Sequence, residues 1–101
     1  MDRAAFRADT RDTLTWQDET GRERPLNVYV YGVYEKFTVV RETSGEGLVR
    51  KVAFEDVVRI VRETPVAPQD RYFLPAAVVD EKNWQDRAVM QHYASAPGVG
   101  K

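Results

Sequence analysis

Pro25-Leu26-Asn27-Val28-Tyr29-Val30-Tyr31-Gly32-Val33-Tyr34 is apolar on both sides when laid out as an extended chain. Successive side chains of a strand point to opposite faces. Leu26, Val28 and Val30 therefore form one row, and Tyr29, Tyr31 and Val33 form the other. A strand with one wet face alternates apolar with polar residues; this one has no polar row. Burying a side chain of this size contributes about 1.5–3 kcal/mol, a large share of a total stability of about 5–15 kcal/mol. Both rows therefore need cover. One is expected to line a small barrel or curled sheet. The other is expected to meet a C-terminal helix, the cluster Tyr72-Phe73-Leu74, or another protein. Pro25 suits the first residue of a strand, and Gly32 marks a bulge or sharp bend.

Strand patterns continue on either side. Leu14 and Trp16 alternate within Thr13–Gln17, and Asp18-Glu19-Thr20-Gly21 reads as a turn. Phe37–Glu42 is rich in β-formers. Thr43-Ser44-Gly45-Glu46-Gly47 is a loop that joins it to Leu48–Phe54 as a hairpin. Residues 54–57 read as a single helical turn, because Phe54, Val57, Val58 and Val61 fall at helical spacing. The β-branched run through Arg62 reads as a last strand. Pro65, Pro68 and Pro75 make residues 65–79 a connector. Asp80 is a candidate N-cap for a helix from Glu81 to about Ala94, with Trp84, Ala88 and Val89 on its apolar stripe. The resulting organisation is an arm over 1–11, a β-unit over 12–64, the connector, a C-terminal helix over 80–95 and a tail over 96–101. The fold class is mostly β, as a five-stranded curled sheet or Sm-like barrel with one C-terminal helix.

The 101 residues suit one domain. With no cysteine, disulfide scaffolds and thiolate metal centres are excluded. The first residues lack the apolar core of a secretory signal, and the longest uninterrupted apolar stretch runs only from Tyr72 to Val79. The expectation is a cytoplasmic protein without a membrane span. Net charge is −1, and no third of the chain has a basic surplus. Nucleic-acid binding through phosphate neutralisation would thus require folding to sort the two signs onto different faces.

The residues for catalysis or metal binding are sparse. His92 is the single histidine. Glu55-Asp56 and Asp80-Glu81 are adjacent pairs, better suited to turns and caps than to converging on a metal. No Gly-x-Ser-x-Gly elbow or phosphate loop is present. The chain reads as non-catalytic, with no cofactor and no metal. Its expected role is binding or assembly through a protein surface, with a protein partner or a second copy of itself. The candidate surface is Tyr29 and Tyr31 with Phe37. The alternative is nucleic-acid or effector binding by Arg50, Lys51 and Arg59 beside those aromatics, since rings and arginines on a β-surface suit single strands.

Val49-Arg50-Lys51-Val52-Ala53-Phe54-Glu55-Asp56-Val57-Val58-Arg59-Ile60 resembles the closing segment of five-stranded Sm-like barrels, where an apolar strand meets a short turn and then an isoleucine-bearing last strand. Within that group it most resembles the WYL domain of bacterial regulators. Where those domains carry Trp-Tyr-Leu, this chain reads Glu35-Lys36-Phe37. The resemblance implies a barrel and a nucleic-acid or effector-binding accessory role.

Overall fold

The computed structural model describes residues 1–44, 47–85 and 89–90. Five antiparallel strands form one sheet: β1 (Thr10–Gln17), β2 (Glu23–Val33), β3 (Phe37–Glu42), β4 (Val49–Ala53) and β5 (Val57–Pro65). A two-residue strand, β6 (Val89–Met90), pairs onto β4, so the order across the sheet is β5-β1-β2-β3-β4-β6. The turn after β1 is built by Asp18. Its carboxylate accepts the Thr20 and Arg22 amides and the Arg24 guanidinium, and the Thr20 hydroxyl above all holds its pKa down to about 2. Gly21 supplies the positive φ, 81°.

β4 and β5 sit near opposite edges of the sheet, yet only the 3-10 turn Phe54–Asp56 joins them. Four residues span at most about 14 Å, so the sheet must curl until its edges approach. It does not close into the barrel considered above. The outer edge of β4 is taken by β6 at Val49 and Arg50. β5 is bulged twice against β1, between Thr13 and Leu14 and between Thr15 and Trp16, which bends it off a regular ladder.

Both rows of β2 are covered. Inside the curl, Val28 and Val30 pack with Leu14, Trp16, Val40, Val52, Phe54 and Val57, and Phe6 from the N-terminal segment stacks on Phe54 at 5.1 Å. On the other face, Tyr29, Val39 and Val49 are fully buried. Their cover is the segment 72–84. Tyr72 meets Tyr29 edge-on at 5.2 Å, and Leu74 and Trp84 join Phe37, Val39 and Val49 in a second apolar layer. Within this segment, α1 (Ala76–Val79) presents Val78 and Val79 to that layer. Phe73, by contrast, is half exposed.

Two expectations are corrected. Val33 belongs with the inner layer, and Tyr34 with the outer one. The register of β2 against β3 shifts between Val30 and Gly32, and the extra residue inverts the alternation beyond it. Gly32 also lets α1 lie close, since a Cβ there would stand 2.7 Å from the Tyr34 hydroxyl and 3.1 Å from Val79. The helix over 80–95 does not form as read. Asp80 does cap a turn, accepting from the Lys82 amide at 3.0 Å, but that turn is 3-10, Glu81–Trp84, and residues 89–90 are extended. The α-helix lies just before Asp80 instead. Trp84 is drawn fully into the outer layer, its indole N–H donating to the Val78 carbonyl at 2.9 Å. Its own carbonyl, which an α-helix would give to a later amide, accepts from Lys51 Nζ at 2.5 Å. Residues 91–95 and the tail over 96–101 lie outside the described residues.

Trp84→Ala should therefore lower stability by about 3–5 kcal/mol, the usual cost of removing a buried large aromatic. Urea unfolding monitored by far-UV circular dichroism checks this; an unchanged midpoint would mean that Trp84 does not hold the outer layer.

Candidate functional site

The six residues singled out from sequence do not form one exposed surface. Tyr29 has no exposed area and Phe37 is 9% exposed, while Tyr31 is half-buried. The Tyr29 hydroxyl donates to the Asp9 carboxylate, and burial is the main cause that pushes this phenol far up from its ordinary pKa. Burial raises Tyr31 as well. Asp9 is held at a positive φ of 61°, with its amide donating to the Val30 carbonyl and its carbonyl accepting from Val66. These rings are structural members joining β2 to the connector.

Arg50 and Lys51 are likewise engaged. Arg50 pairs with Glu42 at 2.7 Å and with Glu19 at 3.4 Å, and its guanidinium lies 5.2 Å from the Trp16 ring. Lys51 binds the Trp84 and Gln85 carbonyls and approaches the Phe37 ring at 5.3 Å. Arg59 is different: it is exposed, and it belongs to a group that the sequence reading did not assemble.

That group lies on the outer face of β5, β1 and β2. The register places Arg11 beside Tyr29 and Thr64, Thr13 beside Asn27 and Arg62, and Thr15 beside Pro25 and Arg59. Arg11, Arg59 and Arg62 thus share one face, and all three are exposed. None has a hydrogen-bond or ion-pair partner among the described residues. In a regular strand, residues 59 and 62 would point to opposite faces. The bulge between Thr13 and Leu14 inserts one residue into β5 and turns both outward.

A groove of about 340 Å³ runs over this face, with Arg11, Arg62, Thr13, Asn27, Thr43 and Ser44 in its lining. Thr13 donates to the Asn27 side-chain oxygen at 2.8 Å, which orients that amide so that its NH₂ remains a donor. Guanidinium, hydroxyl and amide donors make this groove suited to oxyanions; its one acid, Asp12, points inward, and Glu23 and Asp70 lie outside its lining. Another concavity, of about 450 Å³, lies between Met1, Arg3, Glu35, Lys36 and Glu55. Its mixed signs give it no such bias. Among the described residues no cluster of three or more His, Asp or Glu is placed to hold a metal, and His92 falls outside them.

Asp12 also borders the groove, but its side chain follows Leu14 and Trp16 into the interior and is 2% exposed. The Thr10 hydroxyl donates to its Oδ1 at 2.9 Å. Burial, with a smaller push from Glu63 and a partial offset from Thr10, raises its pKa to about 6. Between the ordinary carboxyl value near 4 and about 6, the folded chain holds a proton that the unfolded chain has released. Stability from this group is therefore complete below about pH 4 and is lost as pH rises through 6. The loss should be no more than about 3 kcal/mol, read from urea midpoints between pH 4 and pH 7.5. Asp12→Asn should remove that part of the slope; an unaltered slope would place its origin elsewhere.

Comparison with protein-family models, with curated proteins and with solved structures found no match.

Proposed function

We propose that the chain is a non-catalytic binding module that takes an acidic, extended segment of a partner protein along the outer face of β5, β1 and β2. The observation that carries this reading is the set Arg11, Arg59 and Arg62: three exposed guanidiniums on one face, unpaired among the described residues. Unpaired arginines on a chain of balanced charge favour a partner that brings the missing acids. Alternate residues of an extended peptide lie about 6.6 Å apart, which is also the repeat along a row of the sheet face. A protein partner fits better than stacked bases, because Tyr29 and Phe37, the rings that would stack, are inside the fold.

The nucleic-acid or effector reading keeps one support. The same guanidiniums would take phosphates. Among the described residues no helix is long and apolar enough to cross a membrane. We place the module's work in the cytoplasm as part of the same proposal.

Fluorescence anisotropy with a labelled alternating Glu-Ser peptide and with a mixed single-stranded oligonucleotide separates the two. The peptide should bind at 50 mM salt and weaken as salt rises. The double variant Arg11→Ala/Arg62→Ala should lose about tenfold in affinity, equivalent to about 1.4 kcal/mol, while Arg22→Ala, on the first turn, should not. Preferential oligonucleotide binding would favour the second reading. Binding of neither probe at 50 mM salt would sink both.

A further inference from the structure

Behind the arginine face, on the inner side of the same two strands, lie two carboxylates that the binding role leaves unused. We propose that Asp12 and Glu63 share a single proton across the β1–β5 ladder, and that the charge on this pair sets how firmly Arg11 and Arg62 hold an acidic ligand; the second half rests on the binding role proposed above.

The geometry begins with register. Asp12 and Glu63 stand directly opposite each other on β1 and β5, a position that brings side-chain Cβ atoms to about 5 Å. Each carboxylate has one oxygen engaged. Thr10 donates to Asp12 Oδ1, and Arg7 donates to Glu63 Oε1 at 3.1 Å. The remaining oxygens, Asp12 Oδ2 and Glu63 Oε2, are both buried, and neither has a hydrogen-bond donor among the described residues. Two ionised carboxylates are acceptors only, so side by side they repel and leave both inner oxygens unmet. One proton turns one of them into a donor to the other and satisfies both atoms.

The surroundings provide no other remedy. β2 places Val28 opposite Asp12. On β1 the neighbour on the same face is Thr10, whose single hydroxyl proton is shared between the Arg7 carbonyl and Asp12 Oδ1, each at 2.9 Å. Arg7 approaches only Oε1 of Glu63, and its side chain is 74% exposed, so it screens the pair weakly. Arg11 and Arg62 are the next residues along the two strands and face the other way. Burial is the main cause of the raised Asp12 pKa, and the charge of Glu63 adds the smallest push in the same direction.

Coupling to the ligand follows from adjacency. Asp12 precedes Thr13 and follows Arg11, and Glu63 follows Arg62, so the acid pair and the guanidinium pair lie back to back through one thickness of sheet. At a separation on the order of 10 Å and an effective dielectric of about 20, one added negative charge weakens anion binding by more than about tenfold unscreened, and by about three- to tenfold once salt screens it. Linkage makes the effect reciprocal: a bound acidic ligand should raise the apparent pKa of the pair.

Carbon-13 carboxyl NMR of the full chain between pH 3 and 8, with anisotropy of a labelled octa-aspartate peptide at pH 5.0 and 7.5, tests both halves. The upper carboxyl step, near pH 6 at Asp12, should also be read at the Glu63 carboxyl with the same midpoint. Octa-aspartate should bind about three- to tenfold less tightly at pH 7.5 than at pH 5.0. Asp12→Asn should make its affinity equal at the two pH values. Independent titration of the two groups near their ordinary values would overturn the shared proton. So would disappearance of the upper step on adding millimolar calcium or magnesium, which would assign the gap to a cation. A paired titration with pH-independent peptide binding would overturn the coupling alone. A paired titration with no peptide binding at either pH would remove the coupling together with the binding role, and leave the shared proton standing.

Discussion

β2 is greasy on both sides, and the rest of the molecule is arranged to shield it. The inner row is enclosed by the curl of the sheet, with Phe6 and Phe54 at one end. The outer row is enclosed by the chain's own return, Tyr72 through Trp84. Gly32 links the two jobs. Its bulge inverts the alternation so that Val33 turns inward and Tyr34 outward, and its missing Cβ leaves room for α1. A 101-residue chain has little apolar surface to spare, so two layers on one strand is a demanding arrangement. It explains why so many aromatic residues are committed to packing.

That commitment shapes where binding can occur. Rings and cations that look like a recognition surface in one dimension are consumed by the scaffold in three. Tyr29 ties β2 to Asp9, Phe37 floors the outer layer, and Lys51 holds the Trp84 carbonyl in place of an α-helical amide. Arg50 is neutralised by Glu42 and Glu19. What remains accessible is the part of the sheet that segment 72–84 does not reach, and there the side chains are arginine, threonine and asparagine. The function proposed here therefore follows from what the core leaves uncovered. The same economy makes the Asp12–Glu63 pair conspicuous. Asp12 is buried and Glu63 half-buried, which carries a desolvation cost, and the register places both behind the strands that carry Arg11 and Arg62.

Strand positions, the break between β3 and β4, the single helical turn after Ala53 and the need for two layers are legible in the residues, because alternation, β-branching and glycine act over a few neighbours at a time. Lys51 shows the limit of that range. Nothing near it in the chain announces that it will meet the carbonyl of residue 84, at the end of a capped 3-10 turn. Arg11 and Arg62 show it again: they are 51 positions apart in the sequence and flank one groove only because β1 pairs with β5.

The amino-acid order by itself determined a small, mostly β domain whose central strand had to be covered twice, since hydrophobic period and turn chemistry are local properties. Only the tertiary structure decided which segment supplies the outer cover, that the sheet stays open, and that Arg11, Arg59 and Arg62 look the same way. Those outcomes depend on strand pairing and on bulges, and a shift of one residue in register exchanges the two faces of a strand.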